Sequence, residues 1–369
     1  MKLVYYTDQF YRHGGIEKVL SQKLNYFANL DGFEVYLITS QQMKQAFCYS
    51  ISAKVRHIDL GIDYDITKSY FHPKNLLKVP LHIQKLKKWL KDIKPSNLIV
   101  CNYGFDFYFI PFIAKNIKTI KEFHSSRFQR AQNIPKTVYQ KVIRKVDSFI
   151  ELKYTYLVLL NGDEKRYYES GNVCIIPNSV RTVQEAYKKT RRRTVIAAGR
   201  IAPVKQFDHL IKAWHIVSEI FPEWNLEIYG ENYGTTAREL EELVKELNAK
   251  NVNLMGATDN MQGIMSEASI YALTSSTECF PMVLLESLAN GLPIVSYDCP
   301  HGPRNIITED EDGILVEADN IEQFALALSQ LMNDEKGRNC METAAVINIK
   351  RFDENDVMEK WLHLFSSRN

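Results

Sequence analysis

Short β-rich runs alternate with helical patterns along this chain, and the alternation passes through two successive cycles. Residues 2–7 read as a strand, a polar loop carries Gly14 and Gly15, and Ile16, Val19, Leu20 and Leu24 follow at helical spacing. Further strand patterns stand at 33–39, 97–102, 119–123 and 173–176, with helical stretches between them. The second cycle opens at 194–200 and predicts strands at 225–229, 252–255, 270–273 and 293–297, with helices at 207–218, 236–248, 261–268 and 282–290. Such alternation predicts parallel sheets with crossover helices. The expected fold is α/β: two Rossmann-like, doubly wound domains facing a central cleft at the carboxyl ends of their strands. A chain of 369 residues exceeds one ordinary core and suits two domains of about 150 to 200 residues. The expected boundaries are 1–180 for the first domain, 181–193 for a polar, cationic linker and 194–352 for the second. A tail from about 353 to 369 sets Val357, Trp361, Leu364 and Phe365 at helical spacing and is long enough to cross back onto the first domain.

The composition, 45% hydrophobic and 24% charged, excludes a wholly disordered or collagen-like chain. Cys48, Cys101, Cys174, Cys279, Cys299 and Cys340 are scattered, without the close spacing of a zinc or redox motif, and read as reduced thiols of a cytosolic protein. The chain reaches Asp8 before it can build the apolar stretch of about 7 to 15 residues that a signal peptide needs, so export is not expected. The most apolar window, 105–114, is interrupted by Asp106 and Pro111 and falls short of the about 20 residues that span a bilayer.

Charge separates the two halves. Residues 1–193 hold 33 Lys/Arg and 16 Asp/Glu, a balance of +17, while the remainder carries −15. This asymmetry points the first half toward an anionic partner, nucleic acid or a surface of acidic lipid; mutual attraction of the domains and solvated faces are the plainer accounts. Within it, residues 81–95 place Ile83, Leu86, Leu90 and Ile93 at helical spacing among lysines, with Trp89 near the apolar edge. That pattern fits a basic amphipathic helix on anionic lipid and equally a surface helix packed on a sheet. No nucleic-acid-binding signature accompanies it, and nucleic acid is not the expected partner.

Residues 275–293 carry the most chemical information. Glu278 lies on a loop after a predicted strand, and Glu286 follows eight residues later in a helix that begins near Pro281. The amides at such a helix start form a site for phosphate. Two carboxylates cannot usefully touch a bound diphosphate, so Glu278 and Glu286 are expected to accept hydrogen bonds from hydroxyls, one set on a sugar and one on a ribose. Arg200 and Lys205, at the end of the strand that opens the second cycle, add two cations suited to a leaving group that develops negative charge.

Together these segments resemble the family 4 glycosyltransferases of the GT-B fold, bacterial surface-polysaccharide type. The matching stretches are Arg12-His13-Gly14-Gly15-Ile16-Glu17, Glu122-Phe123-His124, Ile176-Pro177-Asn178, Gly199-Arg200 with Lys205, and the paired glutamates closed by Ala289-Asn290-Gly291-Leu292-Pro293. The resemblance implies a donor nucleotide in the second domain, an acceptor in the first, and hexose transfer with retention, commonly without a metal. It implies that Glu278 holds the donor sugar's hydroxyls, with the backbone of Phe280, Pro281 and Met282 beside it. Val283 and Leu284 would offer N–H groups to the diphosphate, Glu286 would hold the ribose, and Arg200 and Lys205 would neutralise the phosphates. Gly15, preceded by Gly14, would let the first domain's backbone approach the same phosphates, and His124 would face the reacting carbon. Glu17 is assigned a capping or pairing role on its own helix, and Pro177-Asn178 a structural turn near the hinge. Cys279, Pro281 and Gln206 stand where many members carry glycine, which leaves the hexose open. Residues 298–307 resemble members that use UDP-sugars, with GDP as the alternative.

The expected protein is a cytoplasmic enzyme, peripheral on the inner face of the plasma membrane and needing no cofactor. It would move a hexose or N-acetylhexosamine to a lipid-linked or oligosaccharide acceptor in capsule, lipopolysaccharide O-antigen or exopolysaccharide synthesis. Its rivals are a nucleotide-sugar epimerase or hydrolase of the same layout and a non-catalytic subunit of a transferase. Two other patterns carry less. Asp63-Tyr64-Asp65 has the form of a metal-holding D-x-D motif but stands far in sequence from the phosphate cations, and Gly230 with Gly234 lacks dinucleotide spacing.

Overall fold

Leu3, Val4, Tyr5 and Tyr6 form an apolar run without alternation, and a strand of this kind is buried only when both of its faces are covered. In a computed structural model, which describes residues 1–69, 71–102, 104–128, 137–182, 191–232 and 234–367, all four are fully buried in a strand at the middle of a sheet. The chain divides into two compact units: Met1–Pro177 with Met358–Asn369, and Asn178–Val357.

The first unit runs β1 (Lys2–Thr7), α1 (Gly15–Ala28), β2 (Glu34–Thr39), β3 (Arg56–Asp59), α2 (Pro73–Leu76), α3 (Val79–Ile93), β4 (Asn97–Val100), α4 (Asp106–Ile113), β5 (Lys118–Glu122), α5 (Val138–Glu151), β6 (Tyr156–Leu159) and β7 (Val173–Ile175). Among the described residues its sheet is seven-stranded and wholly parallel, in the order β3-β2-β1-β4-β5-β6-β7. The order reverses between β1 and β4, which opens a crevice at their carboxyl ends.

Helix α3 covers the tract whose lysines suggested lipid binding. Its apolar residues Leu86, Leu90 and Ile93 are instead buried in the core with Val4, Tyr6 and Leu98. His82 on the same face is held by the hydroxyls of Tyr6, at 2.7 Å, and Tyr64, at 2.9 Å. Of the two readings of 81–95, the helix packed on the sheet is the one found: covering the sheet uses Leu86, Leu90 and Ile93 and leaves lysines outside.

The second unit repeats the plan with β8 (Thr194–Ala198), α6 (Phe207–Ser218), β9 (Asn225–Tyr229), α7 (Thr236–Glu246), β10 (Val252–Gly256), α8 (Met261–Glu267), β11 (Ile270–Leu273), α9 (Met282–Ala289), β12 (Ile294–Tyr297), β13 (Gly313–Val316), α10 (Ile321–Asn333) and α11 (Glu335–Asn348). Its described strands order as β10-β9-β8-β11-β12-β13, all parallel, with the reversal between β8 and β11. Trp214, Trp224, Leu226, Ile228 and Phe324 fill the core on one face.

Of the expected linker 181–193, residues 183–190 lie outside the described residues. Its cationic end is built into the second unit. Arg191 donates to the carbonyls of Met265, Ala268, Asn290 and Gly291, and Arg192 pairs with Glu227. The last helix, α12 (Glu354–Ser366), belongs to the first unit from Met358 onward. There Trp361 is fully buried under the Lys23 ammonium, 4.1 Å from the ring centre, and Phe365 meets Phe27. Lys118 donates to the carbonyls of Leu364 and Phe365 and so caps that helix end.

Candidate functional site

In the second unit the loops after β8 and β11 emerge on either side of the strand reversal. Gly199 ends β8 with φ +158°, and a Cβ there would press on the Lys205 side chain at 3.0 Å. The chain then turns through Pro203–Lys205 into α6, and Gln206 takes the left-handed conformation, φ 44°, at a position where the family 4 resemblance leads one to expect glycine. The loop after β11 is tied to this turn: the Ser276 amide donates to the Val204 carbonyl at 2.9 Å, and the Thr274 hydroxyl to that of Lys205 at 3.0 Å.

These ties bring Lys205 and Glu278 into a direct ion pair, Nζ to Oε1 2.6 Å, with both side chains largely sheltered. Helix α9 starts next to it. Pro281 sits at its N-cap and offers no side-chain acceptor, so the amides of Met282 and Val283 have no intrahelical partner. The Leu284 amide bonds back to the Pro281 carbonyl at 3.1 Å. Phe280 is buried, its ring against Phe352 at 5.3 Å, and its carbonyl accepts from the Asn178 side chain at 3.1 Å. Asn178, expected as a turn residue, thus also holds the glutamate loop.

Glu286 lies one turn into α9 and is partly exposed. Burial, then the fields of Glu278 and Glu286, raise the Tyr271 phenol far above its ordinary range; Tyr271 in turn bonds the amide and carbonyl of Ala198 at the end of β8. Both glutamates thus lie within electrostatic reach of Tyr271. Arg200 is exposed on the loop after β8, five residues before Lys205.

Sequence reasoning missed one support. The loop after β12 brings Gly302 so close that a Cβ would lie 2.6 Å from the Glu278 Cβ and 3.2 Å from the Pro281 ring. Gly230 has an equally plain reason: a Cβ there would sit 1.9 Å from the Gly199 carbonyl oxygen, so it is a packing glycine beneath the site and not part of a dinucleotide loop.

The first unit contributes a second group. Gly14 caps α1 in extended conformation, and a Cβ would strike the Glu17 carboxylate at 2.4 Å. Glu17 folds back there and accepts from the Gln9 amide at 2.6 Å. Beside Gly15 the position a Cβ would take is open space, so backbone is accessible at this helix start.

His124 follows β5, its Nε2 3.5 Å from Glu122 Oε1. Glu122 is fully buried and pairs with Lys23 of α1. Burial alone would raise the Glu122 carboxyl, but Lys23 and then His124 overcome it and hold the group well below the usual carboxylate range. Neither Lys23 nor Glu122 was singled out for a role, because each stands among other charged residues of α1 and β5.

Cys101, Glu122 and His124 could each present a metal ligand within 4.8 Å of one another. The Lys23 ammonium already engages Glu122, and burial holds the Cys101 thiol protonated, so this trio is organised around an ammonium and does not suit a metal. Asp63-Tyr64-Asp65 is a structural turn: Asp65 accepts from the Thr67 amide and hydroxyl, and Tyr64 bonds His82.

The predicted residues thus fall in two groups: Lys205 and Glu278 beside the head of α9, with Glu286 within that helix and Arg200 on the loop after β8, in one unit, and Gly14 and Gly15 at the head of α1 with His124 after β5 in the other. Comparison with known proteins adds a family. Residues 181–346 match the family described as Glycosyl transferases group 1. The chain is 26% identical over 353 residues to an uncharacterized glycosyltransferase of Haemophilus influenzae, covering 94% of this chain and 95% of the relative. It is 24% identical over 287 residues to the amylovoran biosynthesis glycosyltransferase AmsD of Erwinia amylovora, covering 74% and 78%. Among solved structures, a mutant form of S. aureus TarM, in complex with fondaparinux, α-GlcNAc-glycerol and UDP, is similar with a TM-score of 0.80 at 16% identity, over 99% of this chain and 100% of that one.

Proposed function

We propose, from the membership of residues 181–346 in the group 1 glycosyl transferases, that this glycosyltransferase of the GT-B fold moves a hexose or N-acetylhexosamine from a UDP-sugar, with retention, to a lipid-linked glycan in bacterial surface-polysaccharide synthesis. The observation that carries the reading is the Lys205–Glu278 pair at the uncapped start of α9. An ammonium and amides without an intrahelical partner lie together at this helix start, which supports a diphosphate there, with the Arg200 guanidinium assigned to the same phosphates and the two carboxylates to hydroxyls on either side. UDP is favoured by the resemblance of residues 298–307 and by the nucleotide that the TarM complex contains; the polysaccharide setting is favoured by the likeness to AmsD.

In this reading Arg200, Lys205 and the amides of Met282 and Val283 take up the diphosphate, the expected Leu284 amide being already bonded to the Pro281 carbonyl, while Glu286 takes the ribose and Glu278 the sugar hydroxyls. Gly14 and Gly15 admit backbone to the phosphates, and His124 stands near the anomeric carbon. The bond from that carbon to the β-phosphate oxygen breaks and its electron pair leaves with UDP. An acceptor hydroxyl attacks on the same face and passes its proton to the departing phosphate oxygen. Charge on that oxygen grows along the reaction, so cations and amides fixed beforehand stabilise the transition state more than the ground state. The acceptor's lipid would place the enzyme, through its basic first unit, at the anionic inner leaflet; among the described residues no helix is long and apolar enough to cross a membrane.

A thermal-shift screen of UDP, GDP and their sugars tests the donor, with stabilisation by UDP and a UDP-sugar expected. Glu278→Gln and Lys205→Ala are each expected to lower turnover by about 100-fold or more. Wild-type turnover in both would overturn the site, and rapid release of free or isomerised sugar without acceptor would favour a hydrolase or epimerase.

A further inference from the structure

Helix α5 is packed in an unusual sense. Its acids face inward: Asp147 is buried and accepts from the Tyr108 hydroxyl at 2.8 Å, and Glu151 is buried against Arg127. Ile150 packs into the core, but a second set of apolar residues faces outward. Val138, Val142, Val146, Phe149 and Leu152 are all exposed, from 41% to 77%. Their spacing of four, four, three and three residues puts them on one strip about 20 Å long. Lys141, Lys145 and Lys153 flank the strip and are exposed as well. At its carboxyl end a cavity of about 660 Å³ is lined by Arg144, Lys145, Phe149 and Leu152, with Arg166 and Glu169 beside them. Cations and apolar side chains are thus mixed at one spot, and none of the exposed side chains described along the helix is acidic.

From this arrangement we infer that α5 is the element that docks the protein on an anionic bilayer surface, its valines and Phe149 entering the acyl boundary and its lysines and Arg144 meeting lipid phosphates. An exposed apolar strip of this length marks an interaction surface. Charge selects the occupant. A second copy of the chain would set Lys141, Lys145 and Lys153 against their own equivalents in a two-fold contact, while Asp147 and Glu151 are buried and already engaged by Tyr108 and Arg127. Anionic headgroups supply the missing negative charge, and a basic face with an apolar strip is what holds a helix in the headgroup plane. The +17 balance of residues 1–193 acts in the same direction at longer range. Helix α3 buries Leu86, Leu90 and Ile93 in the core and leaves only Leu81 and Trp89 of its large apolar residues exposed among the described residues, a much smaller apolar surface than that of α5.

The inference rests on the proposed membrane-borne acceptor, and flotation of the full chain separates the two. The probes are vesicles of phosphatidylcholine alone and vesicles of equal parts phosphatidylcholine and phosphatidylglycerol. Wild type is expected to float with the anionic vesicles only. The variant V142S/V146S/F149S changes exposed positions and is expected to lose about tenfold or more of that binding, while K87E/K88E on the outer face of α3 loses less. An unchanged UDP-induced thermal shift in V142S/V146S/F149S shows that it is folded. Absence of wild type from both vesicle types would remove the membrane reading itself. Flotation of the triple variant equal to wild type, or a wild-type dimer in solution that the triple variant dissociates, would overturn the assignment to α5 alone.

Discussion

Lys23, Glu122 and His124 are joined by charge inside the first unit, and their energetics differ from those of a surface pair. Removing one partner of a buried ion pair leaves the other unpaired in low dielectric, so Glu122→Gln is expected to cost about 3–5 kcal/mol in urea unfolding. K23M/E122Q, which removes both charges, should regain most of that loss; a double variant as unstable as the single would contradict this account. His82 gives a separate acid response. Burial, and then Lys85, push it down to about 3, whereas in the unfolded chain it titrates near 6.5. Between those values the unfolded state binds the extra proton, so unfolding free energy falls as pH drops from about 6.5. The expected readout is a slope of stability against pH below about 6.5 and down toward about 3 that flattens in His82→Gln. At the candidate site, Gly302→Ala would force its new methyl against Glu278, and about tenfold or greater loss of turnover is expected from the displaced carboxylate.

At the scale of elements, the loops after β8 and β11 act as one piece, because Ser276 and Thr274 bond the Val204 and Lys205 carbonyls. Gly230 lies directly under that piece. Gly230→Ala would place a methyl within 1.9 Å of the Gly199 oxygen in the undistorted structure. Relief requires moving the β8 loop, so the expected result is a loss of about 2–3 kcal/mol together with weaker UDP binding, measured by calorimetry. A stable variant with intact binding would show that the two loops move independently. Several elements were legible beforehand: the strand, glycine loop and helix from residue 2 to 28, and the corresponding run from 194 to 218, carry continuous apolar patterns and clear loop residues. Strands β3, β6 and β13 are not among the predicted strands. Each has three or four residues on its pairing register, and β3, at the sheet edge, exposes Arg56 and Asp59, so its pattern resembles a loop.

The molecule as a whole returns its last residues to the first unit. Trp361, Leu364 and Phe365 are buried there, with Trp361 over the ammonium that holds Glu122. Trp361→Ala should therefore destabilise the first unit by about 3–5 kcal/mol. Hydrogen exchange read by peptide should show faster exchange in α1 and β5 and little change in β8 through β13; the opposite distribution would contradict the division into units.

Taken alone, the sequence determined the alternation of strand and helix, the parallel character of both sheets, and the segments that carry charge and glycine at strand ends. Those follow from periodicity and local chain chemistry, which act over a few residues. Tertiary structure decided which apolar faces are already used. Helices α3 and α5 both carry lysines and apolar residues at helical spacing, yet α3 buries its strip while α5 turns its acids inward and leaves its strip to solvent. It also decided that Glu122 meets Lys23 across ninety-nine positions of chain, and that Gly302 and Asn178 brace the glutamate loop. Contacts between residues so distant depend on how the sheets stack their crossovers, and no local pattern encodes that.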